Sequence, residues 1–191
     1  MTSQILIFLL DAILGLFSLA LLLRFYFQLL RVPFNHSVSQ FLIAVTDFIV
    51  RPARRVIPGW SGMDLSTLVL AWLVETFIVT VVFTLQGYNF GTNYGGVAGV
   101  MGLLGIVEII KMTLYIGLIT IIVQAVLSWV NPHSPLTPLL NSFTYPFLSI
   151  FRRIIPPIAN VDLSPLFALI LIQLLLMIVA GVHIEVTSML F

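Results

Sequence analysis

Four stretches of this chain are long and apolar enough that a lipid bilayer is their natural solvent. They run from Ile5 to about Leu30, from Leu65 to Leu85, from about Leu103 to Val130, and from Leu163 to about His183. A helix crossing the hydrocarbon core needs ~20 mostly apolar residues. Inside lipid only helices and closed barrels satisfy their own backbone groups. Barrel strands are ~10-residue segments of alternating character, and these runs are continuous. The expected fold class is therefore an all-α membrane protein with four transmembrane helices. Composition agrees: 60% of the 191 residues are hydrophobic and 8% are charged, against ~25% charged in soluble domains. The first run exceeds a secretory h-region and has no basic residue before it, so it is expected to be a retained helix.

The same composition excludes several chemistries. With no cysteine there is no disulfide, no thiolate nucleophile and no cysteine zinc site. The three histidines, His36, His133 and His183, have no partner at helical ligand spacing. No metal and no cofactor is expected. A net charge of +1 lacks the dense basic patch that nucleic acid demands. No nucleophile, base and orienting group converge, so the chain reads as a non-enzyme.

Basic residues orient the spans, because short Lys- and Arg-rich loops stay in the cytoplasm. Arg24, Arg31, Arg51, Arg54 and Arg55 lie around the first turn, and Arg152 and Arg153 lie between spans three and four. Lys111 is the single basic residue toward the other side. Both termini are expected outside the cytoplasm.

Sliding the chain by 98 residues superposes Arg54-Arg55-Val56-Ile57-Pro58 on Arg152-Arg153-Ile154-Ile155-Pro156, and Asp64-Leu65-Ser66 on Asp162-Leu163-Ser164. Eight of the fifteen positions in Arg54–Leu68 are identical to their mates. Apolar coincidences are cheap in such a chain, but polar ones at fixed spacing are not. The expected organisation is two tandem parallel repeats: 1–86, with spans at about 5–30 and 65–85, and 100–191, with spans at about 103–130 and 163–183. A Gly-rich linker at 87–99 joins them.

Each repeat also carries an amphipathic segment, expected to lie in the membrane interface at about 38–55 and 136–153. In the first, Val38, Phe41, Leu42, Val45, Phe48 and Ile49 follow helical spacing, while Gln40, Asp47, Arg51, Arg54 and Arg55 gather opposite. Pro146 is expected to kink the second segment or to mark its start. Pro33 and Pro132 end the preceding spans. Ser164 before Pro165 fits an N-cap with proline at the first helical position, and Ser66-Thr67 offers a cap without the proline.

The pattern Pro146-Phe147-Leu148-x-x-x-Arg152-Arg153-Ile154-Ile155-Pro156-Pro157, followed by Asp162-Leu163-Ser164-Pro165, resembles the signature of the YggT family of bacterial inner-membrane proteins. Two such units in one chain resemble its proteobacterial form. Repeat one departs from the pattern: Phe48 stands for the first proline, Gly59 follows Pro58, and Thr67 stands where repeat two has Pro165. The resemblance implies no catalytic residues. It implies a stress-related accessory or organising role, tied to osmotic or extracytoplasmic stress and to potassium homeostasis. A small ion channel or transporter subunit is the alternative.

The arginine pairs Arg54-Arg55 and Arg152-Arg153 read either as docking sites for anionic lipid head groups or partner proteins, or as topology signals that only snorkel. Beyond the bilayer, the partners to expect are other membrane proteins or further copies of the chain. Glu75 lies ten residues into its span, ~15 Å deep. Its repeat mate is Gln173, and Gln124 adds a further amide. These three read as an ion-permissive seam or as interhelical hydrogen bonds. Arg24 lies within ~6 Å of Glu75 in depth, so the two are expected to pair.

Overall fold

The computed structural model describes residues 2–31, 37–57, 59, 64–88, 94–131, 134, 136–154 and 162–190. The described residues form six helices: α1 (Thr2–Leu29), α2 (Ser37–Val56), α3 (Leu65–Leu85), α4 (Tyr94–Val130), α5 (Thr137–Ile154) and α6 (Ser164–Ser188). Four of them, α1, α3, α4 and α6, are long and apolar enough to cross a membrane. The protein is an all-α, multi-pass membrane protein. The two shorter helices, α2 and α5, each sit between two of these spans and carry a polar and an apolar face.

One boundary differs clearly from the sequence reading. Helix α4 starts at Tyr94, so it takes in the second half of the segment expected to be a linker. Glycine disfavours a helix interior by ~1 kcal/mol, which is why the glycines there suggested a loop. Packing overrides that preference: Met101 and Leu104 are buried against Val79 and Phe83, with Val97 and Val100 alongside. The turn that remains begins at Gly87, whose φ of 86° is the left-handed conformation that ends helices and favours glycine.

The fold divides into two compact units, Met1–Ile110 with Val182–Phe191, and Lys111–Gly181. In the first, α1, α2 and α3 pack on one another, with Leu21, Leu22 and Ala71 fully enclosed. The α3–α4 contact there is close. Trp72 donates its indole N–H to the Gly102 carbonyl at 2.9 Å, and a Cβ built on Gly105 would collide with Thr76. Thr76, Thr80 and Thr84 each donate to the carbonyl four residues back, which satisfies their hydroxyls without water. His183 Nε2 stands 3.5 Å from the Glu108 carboxylate. An apolar groove of about 590 Å³ opens between α1 and α2, lined by Leu16, Phe17, Phe41, Val45 and Phe48 among others.

The second unit is built on Leu114, Ile121, Leu148, Ala168 and Ile172, with Phe147 and Phe151 packed against them. Pro146 neither starts α5 nor stops it. The helix runs through it because Leu140, Phe143 and Leu148 are buried on both sides of the proline. Pro52 lies inside α2 in the same way. Pro33 and Pro132 lie outside the described residues.

Candidate functional site

Polar residues of the first unit collect around α2, which is fastened at its C-terminal end and at its middle. At its C-terminal end, Arg54 reaches across the turn to Asp64, the residue preceding α3. The Arg54 Nε donates to Asp64 Oδ2 at 2.9 Å, and a second guanidinium nitrogen donates to the same oxygen. Ser66 donates its hydroxyl to the other carboxylate oxygen. Thr67 donates its hydroxyl to the Asp64 carbonyl at 2.7 Å and its N–H to the same atom at 3.2 Å. Helix α3 is therefore entered through Asp64: Ser66 and Thr67 turn back onto it, and neither hydroxyl caps a free N–H.

Closer to its middle, α2 is fastened to α1. The buried Arg24 donates to Thr46 Oγ1 at 2.8 Å and to Asp47 Oδ1 at 3.1 Å. Thr46 in turn donates its hydroxyl to the Leu42 carbonyl at 2.6 Å. Asp47 also pairs with Arg51, one turn on along α2. A charged guanidinium can be buried when opposite charge and hydrogen bonds compensate it, and these two acceptors do so.

The second unit repeats the arrangement with different residues. Arg152 donates its Nε to Asp162 Oδ2 at 2.9 Å, and Asp162 Oδ1 accepts the Ser164 N–H at 2.9 Å. Where Arg24 holds α2, an amide pair holds α5: Gln124 donates to the Asn141 side-chain carbonyl. The turns differ in burial. The Asp64 side chain is 3% exposed and that of Asp162 41%, so the first pair is the stronger one.

Both aspartates titrate below their ordinary range. Burial pushes the Asp64 carboxyl up, but the hydrogen bonds from Arg54 and Ser66 and the charges of Arg54 and Arg24 outweigh it. At Asp162 the smaller cost of burial is outweighed by hydrogen bonds from Ser164 and Arg152 and by the Arg152 charge. Both sites are anionic at neutral pH.

The remaining candidates fall into place around these fastenings. Arg55 and Arg153, second members of the two arginine pairs, are exposed and make no ion pair with the described residues. The pairs thus split into one bracing and one outward-facing arginine. Ser164 is the first residue of α6 and Pro165 the second. The expected Ser164 side-chain cap is not made, because the Leu166 and Phe167 N–H groups it would accept go to the Leu163 carbonyl, at 3.1 and 3.4 Å. Pro58 and Pro156 lie outside the described residues. Among the intramembrane polar residues, Arg24 and Glu75 are both buried, but the expected pair between them is not formed, since the guanidinium turns to α2. Matching depth is not enough for contact; direction around the helix decides it. Glu75 and its mate Gln173 are not equivalent either, because Gln173 is exposed.

Three partners escaped the sequence reading: Thr46, Asp47 and Asn141. Asp47 carried a signal, since it is the one acid on α2 and stands one turn before Arg51. Thr46 carried a weaker one, as it matches Thr144 across the 98-residue shift.

The profile of the CCB3/YggT family matches residues 3–86 and 103–183. A protein of Pseudomonas aeruginosa is 35% identical over 185 residues, covering 96% of this chain and 92% of the relative. The YggT protein of Escherichia coli K12 is 30% identical over 179 residues, covering 92% and 89%. The ycf19 protein of Guillardia theta is 35% identical over 72 residues, 36% of this chain and 79% of its own length. No solved structure matches the chain. With a family profile matched over most of its length and relatives matched nearly end to end, the chain belongs to the CCB3/YggT family.

Proposed function

We propose that the protein is a non-enzymatic accessory or organising factor of the bacterial inner membrane, acting in the stress and potassium-homeostasis setting that its family resemblance implies. The observation that carries this reading is the division of labour within each arginine pair. Arg54 and Arg152 are consumed in bracing, while Arg55 and Arg153 face outward from helices whose position is held by neighbouring spans. Further along α2, toward its start, Phe48 and Phe41 are exposed as well. A helix whose exposed stripe ends in an outward-facing arginine, with Phe41 and Phe48 on that same stripe at seven-residue spacing, suits the plane of the bilayer surface, with its charge at head-group level. Each such fixed basic helix, on the cytoplasmic side with both termini periplasmic, offers a docking surface for anionic lipid and for the cytosolic ends of partner proteins.

A conduit is supported less. Two of the four intramembrane polar side chains are spent on helix–helix fastening, Arg24 on α2 and Gln124 on α5, and the other two, Glu75 and Gln173, differ in burial. They do not form the continuous lining that permeation needs.

The test places a photoreactive residue at position 55 or 153 in native membranes and identifies what it captures, beside a strain carrying Arg55→Glu and Arg153→Glu. The proposal requires a reproducible protein adduct. It also requires that charge reversal weaken growth after osmotic upshift or potassium limitation as deletion does, with protein abundance unchanged. Growth of the deletion strain equal to wild type under all of these conditions would remove the stress role. Single-channel currents from the purified protein would replace it with the conduit.

A further inference from the structure

We infer that α6 is the contact by which two copies of this chain associate in the membrane, side by side, with Gln173 of each copy hydrogen-bonded to Gln173 of the other. Gln173 lies nine residues after the start of α6, ~14 Å along the axis, which is close to the middle of a ~30 Å hydrocarbon core. Its amide is exposed and makes no hydrogen bond with the described residues. Lipid tails offer no donor or acceptor, so an amide at this depth seeks another helix.

The stripe around Gln173 fits a helix of its own kind. Leu166, Ile170, Gln173, Met177 and Ala180 are all exposed. Their spacings of four, three, four and three residues are the repeat by which left-handed helix pairs hold one seam in contact. Ala180 lets the backbones approach closely at one end. A second copy is favoured over a different protein for two reasons. A carboxamide carries both a donor and an acceptor, so it is complementary to itself across a two-fold axis. Copies of one chain also enter the membrane with one orientation, so Gln173 meets its counterpart at equal depth.

The absence of cysteine makes the test clean. Single variants Ile170→Cys and Met177→Cys lie on the seam. Leu171→Cys and Ile178→Cys lie on the opposite side of the same helix and are also exposed, 42% and 61%. Native membranes from each are oxidised with iodine and resolved by mass. The seam variants should give a dimer of the chain and the opposite pair should not. Adding Gln173→Leu to Ile170→Cys should lower the dimer yield by roughly three- to tenfold, the effect of two interhelical amide bonds of ordinary strength, while Gln173→Asn should retain most of it. Gln173 touches no core, so accumulation should be unchanged and is checked by blotting. Dimers from both faces alike, no dimer at all, adducts of another mass, or a yield indifferent to Gln173→Leu would each overturn the inference.

Discussion

Arg54 and Arg152 occupy the same place in two nearly identical motifs, yet the structure predicts very different consequences for removing them. Asp64 is enclosed, and its carboxylate relies on Arg54 and Ser66. Taking away one partner of a buried charge costs ~3–5 kcal/mol. The Arg54 side chain is 46% exposed, so water partly replaces it, and the expected loss for Arg54→Ala is ~2–3 kcal/mol. Arg152 and Asp162 are 47% and 41% exposed, and an exposed pair contributes ~0–1 kcal/mol. Arg152→Ala should therefore cost under ~1 kcal/mol. The assay is reversible unfolding in mixed micelles, run as two double-mutant cycles, Arg54 with Asp64 and Arg152 with Asp162. Coupling should be at least ~1.5 kcal/mol in the first cycle and at most ~0.5 kcal/mol in the second. Equal coupling in the two cycles, or a larger one for Arg152, would refute the reasoning that burial and not motif identity sets the strength.

Acid should open these turns only at low pH. Both carboxyls are held below the ordinary 3.8, so their stabilisation is complete above that value and is lost as pH falls through the lowered values; amide exchange around residues 64–67 should be flat from pH 5 to 8 after correction for intrinsic rates. Arg24→Leu should destabilise the α1–α2 contact by ~2 kcal/mol or more, measured in the same unfolding assay, because Thr46 and Asp47 lose a buried donor. Glu75→Gln should not be rescued by adding Arg24→Gln, since the two are not partners; restored accumulation on blots would contradict the observed geometry. Gly105→Val should disrupt the α3–α4 contact at Thr76 by a clash costing ~1–3 kcal/mol, seen as a lower midpoint, whereas Gly99→Ala, with open space around it, should be neutral or better.

The spans were legible because a bilayer imposes length and composition together. Leu65–Leu85 follows from an apolar run long enough to cross despite the single acid, Glu75, within it, and α2 and α5 follow from a strong two-faced pattern. What stayed hidden was set by direction around the helix and by packing. Arg24 and Glu75 have compatible depths, but depth does not say that Arg24 faces Thr46 on a helix outside the span. Glu75 and Gln173 are mates in sequence, and only the packed structure separates a buried acid from an exposed amide. The glycines before Val97 read as a linker because their cost in a helix is local, while the contacts that override it come from Val79 and Phe83.

The fastening of α2 at two places has a mechanical side. Arg24 ties it to α1 and Arg54 ties it to the entry of α3, so these three helices form a braced triangle at one face of the membrane. At that face α1 and α3 cannot splay unless a charged contact breaks. At the other end α3 is held by packing, with Val79 and Phe83 buried against Met101 and Leu104. Separating α1 from α3 at the arginine end must therefore break a charge-bearing contact, whereas parting α3 from its neighbours at the far end must expose apolar surface. The frame is thus held by charge at one end and by packing at the other, and the two ends give way to different agents.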